Sequence, residues 1–271
     1  MTVSLTTVKL LVLAPALALA LAACNGDDVT GPTQAPENDD VAADVEAFCD
    51  DALGLGSPGE PEVDWETATE EEIAAAQQVF AEERLRPLVE DLRDSAPQDV
   101  QDDVATLEEA LDEAEGSGDL EAFFGGAGGQ ARNAIAIEAA DRCGWSSVDV
   151  TMVDYEFQGV PETLQAGPVV FSATNEGEES HEMIVFVKRE GVEETWEEIL
   201  GLEEAEVMER VEFVAATFAP AGEESTAAAD LDPGEYVMVC FIPQGTDASG
   251  EEAGDGPPHF QEGMFADFTV E

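Results

Sequence analysis

Basic residues are scarce in this chain. Its 271 residues include nine lysines and arginines against 63 aspartates and glutamates, a formal charge of −54 at pH 7. Proteins bind nucleic acid by neutralising phosphates with lysine and arginine, so nucleic acid is excluded as a partner. The acidic surface would also repel anionic lipid headgroups. Such an acidic, lysine-poor surface is typical of salt-adapted proteins, because salt screens self-repulsion, so a saline habitat is one expectation.

Long apolar segments are also missing. The longest apolar run, Leu10–Ala23, is shorter than the roughly 20 residues of a membrane-spanning helix. Lys9 is the only charge before it, and that order is typical of a secretory signal peptide. Its end, Leu21-Ala22-Ala23-Cys24, resembles the lipobox of bacterial lipoproteins. Ordinary signal cleavage nearby is the alternative.

The lipobox resemblance implies that residues 1–23 are removed and that Cys24 is acylated as the first residue of the mature chain. Two or three acyl chains, each contributing about 0.8 kcal/mol per buried CH2, anchor a protein stably. The polar segment 24–40 would be a lipidated flexible tether. We therefore expect a protein held by lipid on the outer face of a cell membrane.

Cysteines are few, and their number is odd once Cys24 carries lipid. Cys49, Cys143 and Cys240 remain, in a compartment where disulfides form. Cys49 and Cys143 lie at the two ends of a region with helical periodicity, so we expect a disulfide between its first and last helices. Cys240 is then unpaired. It could form an intermolecular disulfide, remain a buried inert thiol or bind a metal ion.

The first half of the mature chain has apolar residues at helical spacing. The predicted helices are Val41–Leu53, Thr69–Leu92, Asp99–Ala114 and Ala131–Cys143. Pro87 should kink or end the second helix, and the glycine-rich residues 125–129 should form a flexible link. We predict a small bundle of about four antiparallel helices over residues 41–146, serving as a spacer or a docking module.

After Trp145 the pattern changes to short strands separated by turns. The predicted strands are Val148–Phe157, Val169–Thr174, Met183–Lys188, Tyr236–Ile242 and Phe265–Val270. They indicate an all-β sandwich over residues 147–271. The helical stretch Glu193–Arg210 is expected on the edge of that sandwich. The predicted fold class is therefore α+β, with a helical domain followed by a sandwich domain.

The whole sequence has two histidines, and both lie in the second region with Cys240. His181 begins a predicted strand, Cys240 ends the run Gly-Glu-Tyr-Val-Met-Val-Cys, and His259 and Met264 have the spacing His-x4-Met. This order resembles that of the cupredoxins, the blue copper proteins. The resemblance implies a Greek-key sandwich with one type 1 copper ion.

In that resemblance His181, Cys240 and His259 are the trigonal ligands and Met264 is the weak axial ligand. Soft thiolate and thioether groups stabilise Cu(I), while imidazole suits Cu(II), so one cage accepts both oxidation states. Copper would also explain an unpaired cysteine outside the cell, because the metal keeps it deprotonated and burial shields it from oxidation.

Two features depart from the family pattern. Residues 241–258 separate Cys240 from His259, where the family places only a few residues, and we expect them to loop out and return at Pro257-Pro258. Glu182 follows the first histidine, where the family usually has an asparagine that ties the ligand loops together. From this substitution we expect a looser or more exposed site.

The lipobox resemblance implies a lipid anchor, and the cupredoxin resemblance implies an electron carrier and not an enzyme. Copper nitrite reductases and oxidases also contain cupredoxin domains, but they need additional histidines for further copper centres. The acidic surface predicts that a redox partner presents a basic patch. The alternatives are a metal-free cupredoxin-like binding module and a copper-scavenging lipoprotein of the cell envelope.

Overall fold

The computed structural model describes residues 39–63, 67–250 and 252–271, with helices in the first part and strands in the second. The helices of the first part are α1 (Asp39–Gly56), α2 (Glu70–Phe80), α3 (Arg86–Ser95), α4 (Gln101–Ser117), α5 (Glu121–Phe124) and α6 (Gly126–Cys143). The predicted signal peptide and the lipidation site Cys24 lie outside the described residues. In the part of the chain that is described, no helix is both long and apolar enough to cross a membrane.

These helices enclose an apolar core and are joined by a disulfide. The largest fully buried side chains of this core are those of Phe48, Leu85, Leu92, Leu107, Leu111, Phe123 and Ile135. Cys49 of α1 is bonded to Cys143 at the end of α6, with their Cα atoms 5.8 Å apart. The bond therefore ties the first helix to the last, as the sequence predicted.

The long helix predicted around Pro87 is interrupted, as expected. α2 begins at a capping box of Thr69 and Glu72. Residues 81–85 then form a π-helical segment, and Pro87 lies in the first turn of α3. Proline has no amide hydrogen, and its ring clashes with the carbonyl four residues earlier, so a wider turn ahead of it relieves both problems.

The prediction of a flexible link over residues 125–129 is wrong. Residues 126–129 form the first turn of α6. A Cβ atom on Gly128 would lie 2.3 Å from the Ala122 carbonyl oxygen and 2.9 Å from the Ala110 methyl group. The glycine therefore allows α6 to approach α4 and α5 closely, which is a packing role and not a flexible one.

The second part is a sandwich of two sheets, which confirms the predicted fold class. Its strands are β1 (Ser146–Val153), β2 (Glu156–Gln158), β3 (Thr163–Leu164), β4 (Gly167–Asn175), β5 (His181–Lys188), β6 (Val211–Ala219), β7 (Glu224–Leu231), β8 (Gly234–Val239) and β9 (Phe265–Val270). One sheet has the order β2-β1-β4-β7 and the other β3-β9-β8-β5-β6. β4 and β7 are neighbours although β5 and β6 lie in the opposite sheet, the connectivity of a Greek key.

Strands β6 and β7 were not predicted from the sequence. β7 contains Ala227, Ala228 and Ala229, all buried, and alanine has a low preference for strands. The alternation of apolar and polar residues is also absent because both faces of β7 are covered. A Cβ atom on Gly56 of α1 would lie 2.7 Å from the Ala228 methyl group. Small residues are thus required where the helices approach this strand.

The helical stretch predicted on the sandwich edge covers a face instead. It consists of α7 (Trp196–Leu200) and α8 (Glu204–Met208). Trp196 and Ile199 pack with Val237 and Val239 on the outer face of the five-stranded sheet. The edge prediction is therefore wrong, because β8 is apolar on both faces and needs a cover on its outer side.

The helical part and the sandwich pack into one compact unit. The Asn133 side chain of α6 donates to the Glu224 carbonyl and accepts from the amide and hydroxyl of Thr226. The change from helix to strand falls between Cys143 and Ser146, next to the predicted boundary at residue 147. That each part is a separate domain stays a prediction.

The Cys49–Cys143 bond is expected to stabilise the protein because it restricts the conformational freedom of the unfolded chain. The two cysteines are 94 positions apart, and a loop of that length corresponds to about 4.6 kcal/mol on the chain-entropy model. The double variant Cys49→Ser/Cys143→Ser should lose up to that amount of unfolding free energy in urea titrations. Dithiothreitol should destabilise the wild type and leave the double variant unchanged. Equal stability of both proteins would contradict this role.

Candidate metal centre

The register between β5 and β8 places two of the predicted ligands at one end of the sandwich. Ile184 of β5 pairs with Val239 of β8 in antiparallel register. His181 is the first residue of β5, and Cys240 directly follows β8. Because antiparallel neighbours run in opposite directions, the start of one strand lies beside the end of the other.

Backbone hydrogen bonds bring the other two predicted ligands to Cys240. The Cys240 amide donates to the Met264 carbonyl at 3.2 Å, and the Phe260 amide donates to the Cys240 carbonyl at 2.9 Å. The Met264 amide in turn donates to the His259 carbonyl at 3.1 Å. His259 and Met264 are therefore held beside the end of β8 by the main chain.

Residues 241–258 loop out and return, as expected. Pro243 and Pro258 form an isolated bridge, and the Gln244 amide donates to the Pro257 carbonyl at 2.9 Å. The His259 amide donates to the Ile242 carbonyl at 2.9 Å. The two ends of the long insertion are thus joined by the main chain, and His259 is held beside Ile242.

Three potential ligand atoms converge inside the protein. The Nδ1 atoms of His181 and His259 are 3.1 Å apart, and His259 Nδ1 lies 3.4 Å from Cys240 Sγ. The ligand atoms of these three residues all lie within 4.8 Å of one another. His181, Cys240, His259 and Met264 are each 0% exposed. The structure therefore brings together, in one buried site, the residues that the sequence singled out.

Two carboxylates that the sequence analysis did not identify contact the far side of the imidazoles. His181 Nε2 lies 3.0 Å from Asp154 Oδ1, and His259 Nε2 lies 3.0 Å from Glu179 Oε2. Asp154 lies in the turn between β1 and β2, inside the single strand predicted over Val148–Phe157. No local motif marks either acid, because each contact joins distant parts of the chain.

Both carboxylates favour their ionised form. Burial alone would raise the pKa of Asp154, but hydrogen bonds from the Glu178 amide and from His181 outweigh it and lower that pKa. Burial also opposes ionisation of Glu179, yet the Gly245 amide, the Tyr155 hydroxyl and His259 lower its pKa. Burial lowers the pKa of His181, so its ring is favoured in the neutral form that binds metals.

The donor set fits a soft monovalent or borderline divalent metal ion such as copper. An ionised carboxylate can only accept hydrogen bonds, so each Nε2 atom must carry a proton, which in a neutral ring leaves a lone pair on Nδ1. Two such lone pairs at 3.1 Å repel each other unless a cation or a proton lies between them. The imidazoles and the thiol thus converge on a position where a cation would be stabilised.

Cys240 is the free cysteine of the described residues, and it is buried. Burial raises the pKa of the Cys240 thiol to about 12, so the metal-free protein keeps it protonated and unreactive. A metal ion that binds the sulfur would have to displace this proton, so metal binding would release it to solvent.

The expectation of a looser or more exposed site at Glu182 is wrong. Glu182 Oε1 accepts a hydrogen bond from the Phe241 amide at 2.9 Å, directly after Cys240. The carboxylate therefore links the start of β5 to the segment that follows β8. The cupredoxin resemblance led us to expect an asparagine in this linking role. Burial raises the pKa of Glu182, and both neighbouring ligands are fully enclosed.

No protein-family model and no curated protein matches the chain. Among solved structures, reduced auracyanin from Roseiflexus castenholzii is 19% identical with a TM-score of 0.33, over 46% of this chain and 97% of that one. Auracyanin A from Chloroflexus aurantiacus, described as a blue copper protein, is 16% identical with a TM-score of 0.29, over 46% and 100% of the two chains. Rusticyanin from Thiobacillus ferrooxidans is 16% identical with a TM-score of 0.28, over 46% and 78%. The strand order and the buried cluster of His181, Cys240 and His259 are features of this chain itself.

The hydrogen bond from Phe241 to Glu182 predicts different effects for two substitutions. Glu182→Ala leaves the Phe241 amide without its acceptor and should cost about 1–3 kcal/mol of unfolding free energy. Glu182→Gln keeps an acceptor oxygen and should lose distinctly less. Thermal and urea unfolding of the metal-free proteins measure the loss of unfolding free energy in each variant. Equal losses would show that this hydrogen bond does not contribute to stability.

Proposed function

We propose that this chain is a lipid-anchored electron carrier of the cell exterior that binds one copper ion. His181, Cys240 and His259 would be its trigonal ligands and Met264 its weak axial ligand. The observation that carries this proposal is the convergence of both histidines of the chain with Cys240, the free cysteine of the described residues, in one buried site. The sequence contains two histidines in total, and both lie in this site.

The surroundings of the site suit one-electron transfer. Bound copper would supply the chemistry by alternating between Cu(I) and Cu(II). The backbone hydrogen bonds around Cys240, His259 and Met264 hold these residues in place, so little has to move when an electron passes. The enclosed site excludes water, which limits the reorganisation that charging the site would cause.

We propose no chemical turnover of a substrate. Both histidines of the chain lie in this candidate site, so none is left for a second copper centre. A metal-free binding module and a copper-scavenging lipoprotein remain the alternatives that the experiments below separate.

The proposed setting is the outer face of a membrane, with the acyl chains on Cys24 as the anchor. The formal charge of −54 argues against attraction to anionic headgroups, so lipid would have to provide the binding. The same charge supports a redox partner with a basic patch, because complementary potentials speed encounter.

Copper(II) addition to a soluble form, residues 25–271, tests the metal site. The expected result is an intense blue thiolate-to-copper absorption band and a narrow copper hyperfine splitting in electron paramagnetic resonance. Cys240→Ser should abolish the band because it removes the thiolate.

The other outcomes distinguish the alternatives. Copper binding without the blue band, or with a band that survives in Cys240→Ser, would favour a scavenger and contradict the type 1 site. A protein that takes up no copper would leave the sandwich as a metal-free binding module.

Lipid anchoring is tested by expressing the full chain in a bacterium that is fed labelled palmitate. The wild type should carry the label and sediment with membranes. Cys24→Ser should lose both properties, because the serine cannot form the thioether, while Cys240→Ser serves as the matched control and should keep them. A wild-type protein without label would contradict the anchor.

A further inference from the structure

Each candidate histidine ligand is paired with one carboxylate through its far ring nitrogen. Asp154 Oδ1 meets His181 Nε2, and Glu179 Oε2 meets His259 Nε2, both at 3.0 Å. The histidines are 0% exposed, while the carboxylate side chains are 29% and 19% exposed. The acids therefore form an outer layer that separates the imidazoles from solvent.

The carboxylates are themselves held in position by other groups. Asp154 accepts hydrogen bonds from the Glu178 amide at 3.1 Å and from the Glu179 amide at 3.4 Å. Glu179 accepts from the Tyr155 hydroxyl at 2.9 Å and from the Gly245 amide at 2.7 Å. A group with three independent partners has little freedom to rotate, so the two acids form a built layer and not a flexible acidic surface.

Tyr155 gives a second indication that this layer is a specific structure. It is the only non-glycine residue with a positive φ in the described part of the chain, at 75°, a conformation that costs energy for a side chain of this size. In this conformation its ring packs edge-to-face on His259, with ring centroids 4.9 Å apart. The strained turn thus covers one ligand and supports the acid that holds it.

The long insertion contributes to the same layer. The Gly245 amide comes from residues 241–258, and the Asp247 carbonyl accepts a hydrogen bond from the Ser180 amide at 3.3 Å. The insertion therefore contacts the segment that carries Glu179 and immediately precedes His181. It does more than connect Cys240 to His259.

We propose that Asp154 and Glu179 are positioning residues for the metal ligands, each holding one imidazole with its Nδ1 lone pair directed toward Cys240. A carboxylate on the far nitrogen also makes the ligating nitrogen more basic, which strengthens its bond to a metal ion. This inference rests on the proposed function and adds to it the groups that prepare the site before the metal arrives.

Two variants and a matched control test the proposal through copper affinity. Asp154→Asn and Glu179→Gln keep the size of each side chain and remove its charge. Competition titrations with a copper(II) chelator should show affinity losses of about 10–100-fold for each variant. Glu178→Gln removes the same charge one position from Glu179, on an exposed residue, and should leave the affinity within about twofold.

A second measurement needs neither metal nor variant. Nitrogen-15 NMR of the histidine rings in the metal-free wild type should show a proton on Nε2 of both rings, because each Nε2 faces an acceptor. A ring with a bare Nε2 would overturn the proposal even if the variants failed to fold.

The outcomes separate this inference from the function on which it rests. Wild-type copper binding with unchanged affinity in Asp154→Asn and Glu179→Gln would overturn the positioning role alone. An equal loss in Glu178→Gln would also overturn it, since net charge would then explain the effect. A wild type that binds no copper would overturn both proposals.

Discussion

The antiparallel pairing of β5 with β8 is the interaction on which the rest of the site depends. It places His181 beside the end of the strand that delivers Cys240, and the Glu182 carboxylate links the two segments again beyond the last strand pair. His259 and Met264 then attach to Cys240 through the main chain. A shift of this register by one residue would turn His181 to the opposite face of the sheet and take it out of the site.

Charge around the site is arranged in layers. The inner layer holds two imidazoles and a thiol, and the next layer holds the Asp154 and Glu179 carboxylates. The two ring lone pairs at 3.1 Å make the centre attractive to a cation, and the carboxylates favour that charge further. Among the acidic residues that the structure describes, these two are set apart by their contacts with the candidate histidine ligands.

The four candidate ligands could be predicted because they are scarce residues in a recognisable order, and the disulfide because Cys49 and Cys143 bracket the helical region. Other features left no local signal. The alanines of β7 are typical of helices, and no alternation of apolar and polar residues marks the strand, because Ala227 and Ala229 face the sandwich core while Ala228 faces α1. Asp154 and Glu179 acquire their role from contacts with His181 and His259, and among so many acids neither stands out. Glu182 was misjudged because a carboxylate oxygen can accept the same amide hydrogen bond as an asparagine oxygen.

Copper-edge X-ray absorption of the loaded protein would show whether the three converging side chains form the metal site. We expect one short copper–sulfur contact and two imidazole nitrogens as the nearest ligands, with the sulfur contact absent in Cys240→Ser. A first shell composed of oxygen and nitrogen alone would contradict this expectation and would place bound copper among the surface carboxylates.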